Sequence, residues 1–86
     1  MERKAARKIA DEIDKTLFIT DFRNMVEIMH EDGTHLKINH ACYNDLDDEW
    51  LAIFSEHHGV FVYHKEDLIW VKEWKQPEIK FWRKSE

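Results

Sequence analysis

Two alternating runs of residues around one short turn constrain the fold of this chain more than any other feature. Residues 25–29 and 35–42 alternate apolar with polar side chains, and residues 31–33 between them read Glu-Asp-Gly. Glycine in such a segment is typical of a hairpin turn, because one turn position needs a positive φ. The pattern therefore predicts a β-hairpin.

The register of this hairpin follows from which side chains would face each other. A loop of two residues would place Ile28 opposite Lys37. A loop of three residues places Ile28 opposite Leu36 and Glu27 opposite Lys37. Because the second arrangement pairs apolar with apolar and acid with base, it predicts the three-residue loop, with Gly33 in the left-handed conformation.

The rest of the chain predicts one helix and further strands. A helix is expected over residues 3–16, since an apolar stripe recurs at spacings of three and four, at Ala6, Ile9, Ala10, Ile13 and Leu17. Strands are expected over residues 24–30, 34–42, 50–56, 60–65 and 68–74, followed by a tail over residues 78–86 that could add an edge strand. The fold class is then α+β: an N-terminal amphipathic helix and a four- or five-stranded antiparallel meander, which could curl into a small barrel.

The second hairpin, which turns near His58 and Gly59, is apolar on both faces of its first strand. Trp50, Ala52 and Phe54 alternate with Leu51 and Ile53. Strands of this kind are covered on both sides. We expect the helix to cover one side, and a curled sheet edge or another subunit to cover the other.

Length and composition indicate a single small domain over residues 1–86. The chain is 43% hydrophobic and 36% charged, which is enough apolar material for a core. Cys42 is its only cysteine, which favours a reducing cytoplasm over a disulfide-rich secreted scaffold. We expect no membrane association, because no apolar run is long enough for a span.

The distribution of charge argues against a nucleic-acid partner. The net charge is −5, while residues 1–8 carry +3 and residues 80–86 carry +2, so the rest carries −10. An acidic body with basic ends repels phosphates over most of its surface. The same acidic body suits a protein partner with a basic surface.

No motif in the sequence predicts an enzyme or a cofactor. The two glycines, Gly33 and Gly59, both belong to turns, so there is no phosphate-binding glycine loop. Residues 45–49 alternate oxygen ligands as a calcium loop does, but Trp50 stands where that loop needs glycine. We interpret this segment as a solvated loop.

Histidine is the one reactive residue type in surplus, with six copies. The turn residues His57 and His58, together with His64 on the neighbouring strand, are candidate ligands for Zn²⁺ or Ni²⁺. His40 and Cys42 are predicted to continue the apolar face of Ile38. For that pair we favour a buried thiol beside a histidine over a metal or catalytic site.

Two surfaces are candidates for binding a partner. One is aromatic: Trp74 and Trp82 flank Pro77 among lysines, and Phe81 lies beside them. The other is the acidic loop, formed by Asp45, Asp47, Asp48 and Glu49.

The leading hypothesis is a small non-enzymatic protein-interaction module, such as a regulator, adaptor or inhibitor that docks on a larger partner. We also expect a homodimer, formed through the second hairpin or the C-terminal aromatic residues. The alternatives are a small barrel that binds RNA or another single-stranded nucleic acid, whose element order Sm-like barrels share, and a histidine-based metal or pH sensor.

Overall fold

The computed structural model describes residues 1–75 and 77–85, which form one α-helix, two short 3-10 helices and six strands. Helix α1 spans Arg3–Asp14, and the 3-10 helices span Ile19–Phe22 and Lys65–Asp67. The strands are β1 (Asn24–His30), β2 (His35–Asp45), β3 (Trp50–Ser55), β4 (Gly59–His64), β5 (Leu68–Trp74) and β6 (Ile79–Arg83). Part of the expected C-terminal tail is thus a sixth strand.

The strands form one antiparallel sheet in the order β4-β3-β2-β1-β5-β6. A helix followed by an antiparallel sheet confirms the predicted α+β class, with six strands instead of four or five. The prediction that the sheet could curl into a small barrel is wrong. The two end strands β4 and β6 do not pair with each other and remain the edges of the sheet.

Two arginines of α1 give a physical reason for the open edge at β4. Arg3 Nη1 donates to the carbonyl oxygen of Val62 at 2.9 Å, and Arg7 Nη1 donates to that of Val60 at 2.7 Å. These carbonyls face away from β3, so they are the acceptors that a closing strand would use. With the arginines bound there, the carbonyls of Val60 and Val62 are not available to a further strand.

The first hairpin has the predicted register. Ile28 lies opposite Leu36 and Glu27 lies opposite Lys37. Gly33 has a φ of 92°, which is the left-handed conformation expected of the turn glycine. The prediction from paired side chains is therefore confirmed.

Beyond this hairpin, β2 changes face at a bulge. His40 has a φ of 56°, and the pairing register shifts between Asn24 and Met25 of β1. As a result Cys42 packs in the cluster beneath α1, whereas Ile38 packs on the opposite side of the sheet. The prediction that His40 and Cys42 continue the face of Ile38 is wrong, because the bulge inserts one residue.

One side of the sheet, which we call the inner side, carries the larger apolar cluster. Its buried members are Val26, Ile28, Ala41, Tyr43, Leu51, Ile53, Leu68 and Val71. Tyr63 of β4 and Trp82 of β6 pack against the same cluster, although a flat sheet would hold these strands about 24 Å apart. Lys65 Nζ, directly after β4, lies 5.5 Å from the centre of the Trp82 ring. The sheet is therefore strongly curled.

The other side, which we call the helix side, is covered by α1 over β3 and β4. Ala10 of the helix packs there with Cys42, Ala52 and Phe54. Strand β3 is buried along its whole length, because α1 covers one side and the curled sheet covers the other. Among the described residues, no helix has both the length and the apolar character to cross a membrane.

Two charged side chains complete the sheet where β1 stops short of the end of β2. Glu73, only 3% exposed, accepts hydrogen bonds from the Tyr43 backbone N–H and from Asn24 Nδ2. Lys80 Nζ donates to the Tyr43 carbonyl oxygen at 2.6 Å. These groups satisfy a stretch of β2 that would otherwise lack a neighbouring strand.

Candidate interaction surface

Helix α1 packs on Cys42 in the second half of β2 and leaves uncovered the part of the helix side formed by residues 35–39 of β2 and by β1, β5 and β6. Residues directly opposite each other on antiparallel strands share a face, and the pairings align three rows across these four strands. We call these twelve residues the open face. The rows are Asn39, Met25, Trp74 and Ile79; then Lys37, Glu27, Lys72 and Phe81; then His35, Met29, Trp70 and Arg83.

Several large apolar side chains of the open face are exposed. Trp74 is 40% exposed, Ile79 is 50% exposed and Phe81 is 51% exposed. They adjoin one another, since Ile79 lies opposite Trp74 and Phe81 is two residues further along the same strand. Contiguous exposed apolar surface makes the open face a candidate interaction site.

Lys72 stands at the centre of these aromatic side chains. Its Nζ lies 4.7 Å from the centre of the Trp74 ring, 5.5 Å from that of Phe81 and 5.6 Å from that of Trp70. An ammonium group at these distances is attracted to the aromatic ring faces. The lysine therefore holds the three rings as one group.

Glu27 is the buried polar residue of the open face. It accepts hydrogen bonds from His35 Nε2 at 2.9 Å and from Trp74 Nε1. Burial would raise the pKa of this carboxyl, but the two hydrogen bonds and the nearby Lys37 outweigh that effect, so the pKa lies below its usual range. Glu27 is thus ionised at neutral pH and fixes the orientation of the Trp74 indole.

The open face has the opposite charge from the body of the protein. Lys37, Lys72 and Arg83 stand against the single carboxylate of Glu27. The chain as a whole carries −5. The open face is therefore locally positive on a chain that is negative overall.

The three aromatic residues nominated from the sequence do not lie together. Trp74 and Phe81 belong to the open face. Trp82 points to the inner side, where it packs against the core and lies under Lys65 Nζ. Neighbouring residues of a strand face opposite sides, so the adjacent Phe81 and Trp82 cannot share one surface.

The acidic loop is a hydrogen-bonded turn between β2 and β3. Asp47 Oδ1 accepts from the backbone N–H groups of Glu49 and Trp50, each at 2.8 Å. The hydrogen bond from Glu49 is the main cause of the lowered pKa of Asp47. This carboxylate therefore shapes the loop.

Other carboxylates of the loop have partners within the chain as well. Asp45 lies 3.3 Å from Lys65 Nζ, and Glu49 lies 3.7 Å from His64 Nε2. Asp48 is exposed. Docking of this loop on a basic partner stays a prediction.

The histidines nominated as metal ligands are separated by the length of β4. His57 and His58 lie in the turn before that strand, and His64 is its last residue; the strand itself is about 17 Å long. His64 instead contacts Trp50 edge to face, with ring centres 4.8 Å apart. In the part of the chain that the structure describes, no three His, Cys, Asp or Glu side chains are grouped to hold a metal ion.

The single thiol is buried beneath α1. Burial raises the pKa of Cys42 to about 12. At neutral pH it is therefore a protonated thiol, which is a weak nucleophile.

The centre of the open face is not among the residues predicted from the sequence. The sequence predicts Trp74 and Phe81 as partner-binding residues, but neither Trp70 nor Lys72. The signal was present, since Trp70, Lys72 and Trp74 alternate along β5 and must share one face. The sequence does not show which part of the sheet the helix leaves uncovered.

No protein-family model, curated protein or solved structure matches this chain.

Proposed function

We propose that this chain is a non-enzymatic interaction module that docks on a partner protein through the open face. The observation that carries the proposal is the exposed group of Trp74, Ile79 and Phe81 around Lys72, on the part of the sheet that α1 leaves uncovered. Aromatic side chains fixed in place lose little freedom on binding, and they are enriched among the residues that dominate binding energy.

The polar groups of the open face support a protein partner of defined chemistry. Trp74 is oriented by Glu27, and Lys37 and Arg83 lie at opposite sides of the apolar group. This is the arrangement of an apolar centre with a polar rim found in protein interfaces. A complementary partner would place apolar side chains over Phe81 and carboxylates near the basic residues.

The test compares the same substitution on two surfaces. Ile79→Glu places a charge on the open face, and Ile19→Glu places one on the first 3-10 helix, where the isoleucine is 72% exposed. The wild-type chain and both variants serve as bait in extracts of the native host. The captured protein is then purified and its affinity for each variant is measured by calorimetry.

We expect Ile79→Glu to weaken binding by at least about tenfold, while Ile19→Glu binds like the wild type. If both variants lose the same affinity for the captured protein, its binding is nonspecific hydrophobic contact, and docking through the open face is contradicted. Circular dichroism on both variants verifies that each is folded.

A second candidate function is the binding of single-stranded RNA on the same face. It is favoured by the three aromatic rings beside Lys72 and by the local excess of positive charge. Proteins bind single-stranded nucleic acids by stacking the bases on aromatic side chains next to positively charged groups. The measurement is fluorescence anisotropy with a short RNA at several salt concentrations. A salt-dependent affinity that falls in Lys72→Gln would favour this candidate, and no binding at low salt would remove it.

We also propose that the protein works in a reducing compartment such as the cytoplasm. The support is its lone cysteine, which is buried and has no disulfide partner in the described residues. Localisation by fluorescent tagging in the native host tests this proposal.

A further inference from the structure

We propose that two copies of this chain pair edge to edge through β6, so that their sheets and open faces become continuous. This goes beyond the docking of a partner protein, because it concerns the backbone edge of β6 and needs no other protein.

The two edges of the sheet differ in how they are protected. At β4, Arg3 and Arg7 occupy the outward carbonyls of Val62 and Val60. Strand β6 has β5 as its only neighbour in the sheet, and among residues 1–75 and 77–85 no side chain hydrogen-bonds to its backbone. An edge without such cover is a template for another strand.

The hydrogen bonds to β5 show which backbone groups of β6 face outward. The N–H of Lys84 donates to the Ile69 carbonyl, so the even-numbered positions face β5. The alternation along a strand then leaves the N–H and C=O groups of Ile79, Phe81 and Arg83 at the free edge.

These outward groups define a two-fold register centred on Phe81. An antiparallel copy can place its Phe81 opposite this Phe81, and Arg83 of the partner subunit opposite Ile79. In this register all three outward residues of each copy form hydrogen-bonded pairs. Their two phenylalanine rings meet on the open face, where each is 51% exposed in the single chain.

Backbone pairing favours this register over its neighbours, because a slide by one pleat pairs only two of the three outward residues with β6 of the copy. Charge acts in the same direction, with Lys80 Nζ held by the Tyr43 carbonyl and Lys84 Nζ by Glu31 within each chain. The register around Phe81 sets Lys80 opposite Trp82 of the partner subunit and Glu78 opposite Lys84 of the partner subunit. Sliding the copies by one pleat in either direction places Lys80 opposite Lys80 or Lys84 of the partner subunit, which is a like-charge pair. The register around Phe81 is thus the one without lysine facing lysine.

Cysteine cross-linking tests the register in a Cys42→Ala background. Phe81→Cys would face its own copy across a hydrogen-bonded pair, with Cα atoms about 5.5 Å apart, which is within disulfide range. Ile79→Cys is the matched control on the same strand and face. It is 50% exposed in the wild type, and its copy would lie about 14 Å away.

Under mild oxidation we expect Phe81→Cys to give mostly linked dimers and Ile79→Cys to remain monomeric. A mixture of Ile79→Cys and Arg83→Cys chains should give the mixed dimer. Sedimentation of the wild-type chain should show a dimer that forms with rising concentration. The proposal is overturned if the wild type stays monomeric up to its solubility limit, or if Phe81→Cys links no better than Ile79→Cys.

Discussion

At the scale of single residues, Glu27 shows how one side chain can organise a surface. Its two oxygens bind His35 and Trp74, and its neighbours Lys37 and Lys72 lie on either side in the same row. The aromatic group of the open face is oriented because this buried carboxylate is ionised.

Glu27→Gln should lower the free energy of unfolding at pH 7 by about 1–2 kcal/mol, since it weakens both hydrogen bonds. The pKa of Glu27 is lowered in the fold, so its stabilisation is present above the unfolded pKa of about 4.3 and is lost as pH falls through the folded pKa. The difference from wild type should therefore shrink below about pH 4. Urea unfolding between pH 7 and pH 3 measures it, with the exposed Asp48→Asn as the control. A difference that is constant over this range would contradict the assignment.

Cys42 should be unreactive in the folded protein. With a pKa of about 12, roughly one thiol in ten thousand is ionised at pH 8, and α1 covers the site. We expect Ellman's reagent to label Cys42 rapidly only in urea. Rapid labelling of the native chain would show that the helix does not cover this thiol.

At the scale of elements, α1 protects an edge of the sheet as well as burying an apolar stripe. Arg3 and Arg7 lie near the N-terminal end of the helix, where the helix dipole disfavours cations. Their hydrogen bonds to β4 explain the placement, because an exposed strand edge invites aggregation.

The double substitution Arg3→Ala/Arg7→Ala should destabilise the fold by about 1 kcal/mol and increase aggregation through β4. Lys4→Ala/Lys8→Ala changes the net charge equally on the same helix and is the matched control. Urea unfolding and light scattering measure the two effects. If the two double variants have the same free energy of unfolding and the same light scattering, the change in net charge alone accounts for the effects.

Gly33 makes the first hairpin possible through its backbone conformation. A methyl group there would meet no atom within 4 Å, so the only cost of Gly33→Ala is the positive φ. We expect a loss of about 1 kcal/mol, and a smaller loss for Gly33→Asn, which tolerates the left-handed region. Thermal unfolding of both variants tests this order, and equal losses would argue against it.

At the scale of the whole molecule, the curl of the sheet divides its aromatic residues between two roles. Trp82 of the edge strand β6 reaches the inner cluster together with Tyr63 of β4. Trp74 of β5 faces the other way and is 40% exposed.

Trp82→Ala should therefore cost about 3 kcal/mol, the scale of removing a core tryptophan, whereas Trp74→Ala should cost about 1–2 kcal/mol for its lost hydrogen bond and contacts. Binding of a partner should respond only to Trp74. Urea unfolding of both variants checks the order of stability. If Trp74→Ala is destabilised more than Trp82→Ala, contacts on the open face stabilise the sheet more than packing of Trp82 on the inner cluster does, which contradicts this assignment.

Features that depend on close neighbours along the chain could be predicted from the sequence. The helix stripe, the register of the first hairpin and the left-handed Gly33 follow from side-chain periodicity and turn chemistry within a few residues. The sequence also contained the alternation of Trp70, Lys72 and Trp74 along one strand.

The position of the open face could not be predicted from the sequence, because it depends on contacts between distant segments. That outcome depends on β5 pairing beside β1, on the bulge at His40 and on where α1 lies. The hydrogen bond between Glu27 and Trp74 joins residues 47 positions apart. Local periodicity shows which residues share a face of a strand, but only the packing of distant segments shows whether that face is covered.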